Sequence, residues 1–203
     1  MCNLYNQTRS VDEIAALFRE MQMGLELPEG SPNLAPRDIA ITDPGPIVRA
    51  REAGDLELIV RRWSWPGPTG KPVYNFRGDG REFSSGRCLI LADGFYEFTR
   101  PEDPKQKRKD RWRFGDPAGG MLGIAGLVRA GTSVGEAFTM LTVEPGPDVA
   151  PYHNRQVAVL PRDAWHAWLD HSVPATELIG PLPEGSLQVE LSPTPPKETD
   201  GLF

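Results

Sequence analysis

Apolar and polar positions alternate in short runs along most of this chain, and a helical period shows in only two places. Ile14, Leu17, Phe18 and Met21 recur at helical spacing behind Ser10-Val11-Asp12-Glu13, a capping box, so an amphipathic helix is predicted over residues 11–23, ended by Gly24 and Pro28. The second helix begins at Pro161 and sets Ala164, Trp165, Trp168 and Leu169 on one face of RDAWHAWLD. Everything else reads as strand and loop. PIVRARE (46–52), the turn Ala53-Gly54-Asp55 and LELIVRRWSW (56–65) predict a hairpin. RCLILADGFYEFT (87–99) is an apolar strand broken at Asp93-Gly94, with a returning strand from Trp112. LGIAGLVRA (122–130), AFTMLTVE (137–144) and QVAVL (156–160) are further buried strands, and SLQVELSP closes the pattern. SPNLAPRD (31–38), PGPTGKP (66–72) and PGPDVAPYHNR (145–155) are loops. The fold class that follows is α+β: a single domain over 1–203, with a mainly antiparallel, barrel-like β core and peripheral helices.

Composition sharpens this picture. Gly and Pro number 21 each, which favours short strands and structured loops over long helices. No apolar run approaches the roughly 18 residues of a membrane span, and MCNLYNQTRS has neither a basic nor an apolar leader region, so no membrane partner and no signal peptide are expected. Cys2 and Cys88 are the only cysteines and neither sits in a CxxC pair; a reducing, cytoplasmic setting fits, and Cys88, inside RCLILAD, is expected to be buried and inert. The net charge of −6 argues against a nucleic-acid partner unless the basic residues cluster, and they do. PKQKRKDRWR holds Lys105, Lys107, Arg108, Lys109, Arg111 and Arg113, which reads either as a solvated hairpin tip or as a phosphate-facing patch.

The candidate chemistry starts at Cys2. Were Met1 removed, one residue would carry both a thiol and a free α-amine. The amine, with an ordinary pKa of about 7.7–8.0, is partly neutral at physiological pH and condenses with aldehydes; the thiol, near about 8.5, then closes a five-membered thiazolidine ring. His153 follows a Pro/Gly-rich loop and precedes a strand, a placement suited to general acid–base work. His166 and His171, in or beside the tryptophan-rich helix, fit surface or structural roles. Glu97 lies between Phe95, Tyr96 and Phe98, and such company raises a carboxyl pKa toward the range useful for proton transfer; the alternative is a carboxylate alternating outward from a strand. Asn75 and Arg77, two apart on extended chain, share a face that could position a reacting group and hold a phosphate, or could be a polar loop. Trp63 and Trp65 also share a face; Trp63 is expected in the core and Trp65 exposed beside Pro66-Gly67. There is no metal-ligand spacing, no GxxxxGK[ST] and no GxGxxG, so neither metal nor cofactor is expected.

Five blocks in order, MCNLY, PNLAP (32–36), YNFR (74–77), RCLILADGFYEF (87–98) and YHNRQVAVL (152–160), resemble the SOS-response-associated peptidase (SRAP) family over nearly the whole chain. The resemblance implies removal of Met1 by peptidase-like autoprocessing, then covalent capture of the ring-opened aldehyde of an abasic site in single-stranded DNA. It implies Cys2 as nucleophile and crosslinking residue, Asn75 as the positioning amide, Glu97 as proton shuttle and His153 as the aid to sugar ring opening and reversal. Arg77 and Arg155 would hold phosphates, Thr142 matches a threonine near the active site, and Trp65 and Asn33 would contact DNA. A monomer without cofactor, nucleoid-associated during DNA damage, is implied. A cysteine peptidase or amidase acting in trans uses the same Cys2 and Glu97 and is the alternative. The chain departs from the family pattern at Asn3, in the block Asn75–Gly80, at Phe98 and at Asn154.

Overall fold

The computed structural model describes residues 2–51 and 54–193. In chain order the elements are β1 (Leu4–Gln7), α1 (Val11–Glu20), β2 (Leu25–Glu26), β3 (Arg37–Ala40), β4 (Pro44–Ala50), β5 (Leu56–Trp63), β6 (Trp65–Pro66), β7 (Pro72–Val73), β8 (Asn75–Arg77), β9 (Arg87–Ala92), β10 (Gly94–Thr99), β11 (Asp110–Gly115), β12 (Leu122–Thr132) and β13 (Gly135–Val143). They are followed by β14 (Gln156–Val157), β15 (Val159–Leu160), a 3₁₀ turn (Arg162–Ala164), α2 (Trp165–Leu169), α3 (Ala175–Leu178) and β16 (Gln188–Ser192).

Strands β13, β12, β9, β4 and β5 pair in sequence, and β5 pairs back onto β13, so five strands close into a barrel. Up-and-down alternation cannot close on an odd number of strands. One seam must be parallel, and it is the β13–β5 seam, where Ala137 lies beside Arg62 and Phe138 beside Trp63. Beside the barrel lies a five-stranded sheet in the order β16-β11-β10-β1-β3.

Alternate residues of the barrel strands separate into two cores. Val48, Leu58, Leu89, Leu91, Ala125 and Leu141 join Ile14 and Phe18 of α1 and Trp165 and Trp168 of α2, so the helices cover the barrel's outer surface. Ile47, Ile59, Trp63, Cys88, Ile90, Ile124, Phe138 and Met140 take the opposite face and continue through Tyr5, Phe95 and Phe114 into the second sheet. Helix α1 is capped as expected: the Ser10 hydroxyl accepts from the Glu13 N–H, and Glu13 accepts from the Ser10 N–H at 2.8 Å. It ends at Glu20 with Met21 as C-cap, three residues short of the expected span. Trp165 lies so close to β12 that a Cβ on Gly123 would come within 2.4 Å of its ring.

Asp93-Gly94 is the corner where the chain leaves the barrel and enters the second sheet. The Asp93 carboxylate accepts from the Thr8 N–H (2.6 Å), the Thr8 hydroxyl (2.8 Å) and Arg9 Nε (2.8 Å), pinning the corner to the end of β1. Gly94 leaves no room for a side chain, since a Cβ would stand 2.7 Å from the Phe114 carbonyl oxygen. Elsewhere the boundaries shift by a few residues. The first hairpin runs Pro44–Ala50 and Leu56–Trp63; of its expected turn, Ala53 lies outside the described residues, as does Glu52. Residues 156–160 form two short strands either side of Ala158, whose N–H bonds to the Leu141 carbonyl and whose carbonyl accepts from Ala125.

Candidate active site

Four elements deliver the candidate catalytic side chains. Cys2 precedes β1, Asn75 opens β8, Glu97 lies mid-β10 and His153 ends the 145–155 loop. Cys2 is only 1% exposed, and its thiol donates to the Leu4 carbonyl at 3.2 Å. Asn75 Nδ2 donates to the Cys2 carbonyl at 2.7 Å, tying the start of the chain to the strand beside β13. Its Oδ1 is buried with no hydrogen-bond partner among the described residues, an acceptor held in readiness.

Electrostatics tie the remaining groups to the same spot. Burial pushes the Cys2 thiol up to about 12, with the charge of Glu97 adding to the rise. Burial likewise raises the Glu97 carboxyl to about 7, against the pull of the positively charged amino terminus. Burial, helped by that same terminal charge, lowers the His153 imidazole, which is therefore neutral at pH 7. One terminal charge thus acts on Cys2, Glu97 and His153. Arg155 helps hold the His153 ring: Nδ1 lies 3.0 Å from both the N–H and the carbonyl oxygen of that residue. A neutral ring can accept from the N–H and a protonated ring can donate to the carbonyl, so its orientation survives a change of protonation.

Arg77 and Arg155 sit differently. The Arg77 side chain is 67% exposed, 3.7 Å from Asp79. Arg155 is buried, and its NH2 donates to Asp79 Oδ2 (2.5 Å), the Thr142 carbonyl (2.7 Å) and Thr142 Oγ1 (3.3 Å). The guanidinium expected to hold phosphate is already engaged, and Thr142 serves as one of its anchors. Asp79 also accepts from the Glu144 N–H at 2.9 Å. Asp79, in the turn after β8, is the neighbour that sequence reasoning did not single out; its one signal is a carboxylate two residues beyond Arg77.

A model of the SOS response associated peptidase (SRAP) family matches residues 1–192. The chain belongs to the SRAP family. Among curated proteins no sequence matches. Solved structures share the SRAP fold seen here. A protein from Bordetella bronchiseptica is 22% identical, with a TM-score of 0.70 over 95% of this chain and 100% of that one. One from Bacteroides thetaiotaomicron is 15% identical, with a TM-score of 0.71 over 94% and 91%. A phage-related protein from Bordetella bronchiseptica is 20% identical, with a TM-score of 0.70 over 95% of each chain.

Within this SRAP chain, Trp65 departs from expectation. It is 9% exposed rather than open to solvent. The cause is Ser64, whose φ of 87° breaks the extended alternation and whose N–H bonds to the Phe138 carbonyl, after which Trp65 pairs with Val73 in a small ladder. Asn33 is exposed in the 31–36 loop, and nothing in the geometry joins it to Cys2. The basic segment also divides. Lys105, Lys107 and Lys109 are exposed, whereas Arg111 is buried against Tyr96 and paired with Asp38 at 2.6 Å, and Arg113 pairs with Glu190 at 3.0 Å. His166 pairs with Asp170 on the surface, as a structural reading required. Among the described residues no group of three or more His, Cys, Asp or Glu side chains is placed to hold a metal ion, and no helix is long and apolar enough to cross a membrane.

Proposed function

We propose that this SRAP protein, once Met1 is removed, captures the ring-opened aldehyde of an abasic site in single-stranded DNA as a thiazolidine on Cys2. The observation that carries the reading is that Asn75 holds the Cys2 backbone and Glu97 acts on the Cys2 thiol, while His153 feels the same terminal charge as both Cys2 and Glu97. The neutral imidazole of His153 takes the proton of the anomeric hydroxyl and gives it to the ring oxygen as the carbon–oxygen bond of the ring breaks and the aldehyde forms. The Cys2 amine adds to the aldehyde carbon. Glu97, about half protonated near pH 7, donates the proton that lets water leave, and an iminium ion remains, its nitrogen still carrying one hydrogen.

The second step is set by the thiol's burial. A thiol held near 12 carries almost no thiolate at pH 7, so its proton must leave as the carbon–sulfur bond forms. The Glu97 carboxylate, ionised by its first transfer, takes that proton as the sulfur adds to the iminium carbon, which restores the carboxylic acid and leaves the ring nitrogen neutral with its one hydrogen. Asn75 fixes the backbone of Cys2 throughout, and its Oδ1 can accept from the amine or a sugar hydroxyl. Arg77, exposed, holds a phosphate.

The test is a denaturing gel of purified protein, its Cys2→Ala variant and a single-stranded oligonucleotide with one abasic site. A shifted band that survives denaturation and vanishes with Cys2→Ala is expected. No shift, with intact mass showing Met1 removed, would overturn the reading in favour of an amide hydrolase acting in trans.

A further inference from the structure

We propose that Trp112 and Tyr152 form a stacking shelf for the unpaired nucleobase next to the captured sugar, an inference that rests on the DNA reading above. Trp112 stands opposite Glu97 in the β10–β11 register, so the two side chains share a face of the sheet. Tyr152 is the residue before His153. The two rings meet at 4.6 Å between centroids, tilted by 51°, and Tyr152 leans edge-on against Phe114 at 5.4 Å. Both are half-buried. The Trp112 indole N–H donates to Thr99 Oγ1 at 2.9 Å, which fixes the ring before anything binds. A platform ordered in advance loses little side-chain entropy on binding.

The shelf opens outward. Leu191 pairs with Trp112 across β16 and is 59% exposed, which makes the row Leu191–Trp112–Glu97 an apolar path from the sheet edge to the catalytic carboxyl, about 10 Å over two strand spacings. Leu191 also walls a cleft of about 450 Å³ together with Lys107 and Lys109. Lys105, Lys107 and Lys109 make no ion pair among the described residues, so an otherwise acidic protein presents cations where the path reaches solvent. Flat aromatic faces beside lysines suit bases and phosphates of a single strand, because every base has a face to stack.

The experiment measures affinity, not capture. Short end-labelled single strands carry a tetrahydrofuran abasic analogue, whose ring cannot open, flanked on each side by thymine or by a base-free spacer, and binding is followed by fluorescence anisotropy. Removing the flanking base on one side is expected to weaken binding about tenfold, the size of one base–aromatic stack. Trp112→Ala should abolish that base dependence, Tyr152→Ala should reduce it, and Trp112→Phe should retain most of it. Lys107→Ala with Lys109→Ala should weaken all probes equally and flatten the salt dependence. Equal affinity of the wild-type protein for base-bearing and base-free flanks overturns the shelf, with no variant needed. So does a base dependence that persists in both alanine variants. A true abasic site run beside these probes separates the two claims: capture without base dependence removes only the shelf, and base-dependent binding without capture removes only the crosslinking reading.

Discussion

The two cysteines lie in the same continuous core and are both buried, yet their surroundings differ in kind. Burial raises both thiols. The charges that act on Cys88 are Arg49 and Glu136, and they are matched: Arg49 pairs with Glu136 at 2.6 Å and with Glu57 at 2.7 Å, while Arg61 bonds Glu136 and Glu29. Although burial favours the neutral acid, the bonds from Arg61 and Arg49 hold the Glu136 carboxyl below its ordinary range. Around Cys2, burial prevails, and Glu97 rises to about 7. A cleft of about 860 Å³ opens on the Arg49–Glu136 side, and Cys2 does not line it. On the reading proposed above, depth and cleft size therefore do not mark the nucleophile. A carboxyl able to change protonation at neutral pH does.

That contrast can be broken most sharply at Cys2 itself. Cys2→Ala should eliminate covalent capture altogether, whereas Cys88→Ser should leave the rate within about twofold while costing about 1–3 kcal/mol of stability, because a hydroxyl replaces a thiol without a partner. Gel quantification and denaturant melts read the two effects. If Cys88→Ser, still folded, lost capture, the assignment of the nucleophile would fall.

Glu97→Gln comes next. Losing the proton shuttle should slow capture by about 10²-fold in single-turnover kinetics. Stability should move the other way. The folded carboxyl titrates near 7 and the unfolded one near 4.5, so between these values the native state binds more protons. Wild-type stability therefore falls as pH rises from about 4.5 through 7, and the buried carboxylate costs about 3 kcal/mol above that window. The Gln variant should be the more stable protein at pH 8 and lose that advantage below pH 4.5. Urea melts at both pH values check the sign; an advantage at pH 4 that vanishes at pH 8 would contradict it.

Smaller effects separate the two arginines. Arg155→Ala should destabilise by about 2 kcal/mol, since it removes the bonds to Asp79 and Thr142. Arg77→Ala should leave the melting temperature unchanged, lower affinity for the oligonucleotide a few-fold and reduce the salt slope by about one. A melting temperature that fell equally in both variants would erase the distinction between clamp and phosphate ligand.

Local chemistry was legible in the chain. Ser10 and Glu13 announced their helix, Asp93-Gly94 announced the corner, and the apolar flanks of Glu97 announced its raised pKa. What could not be read depends on distant partners. The parallel β13–β5 seam joins Arg62 to Ala137, and periodicity does not report strand order. Arg155 is paired with Asp79, 76 residues away, a contact that spacing along the chain does not report. Trp65 went inward because Ser64 turned left-handed, and serine gives little warning of that. The basic segment looked uniform because Asp38 and Glu190, which claim Arg111 and Arg113, lie far off in sequence.

The parallel seam also bears on how this fold can vary. Trp63 and Asn75 both lie along β13, opposite Phe138 and Met140, so twelve residues of chain advance only two residues of partner. The segment between them leaves the strand and returns with both ends fastened. The largely exposed tip of that segment, residues 67–71, can therefore change in length without shifting the register of Asn75, and an inserted loop, tag or recognition element there would leave the barrel with no need to adjust.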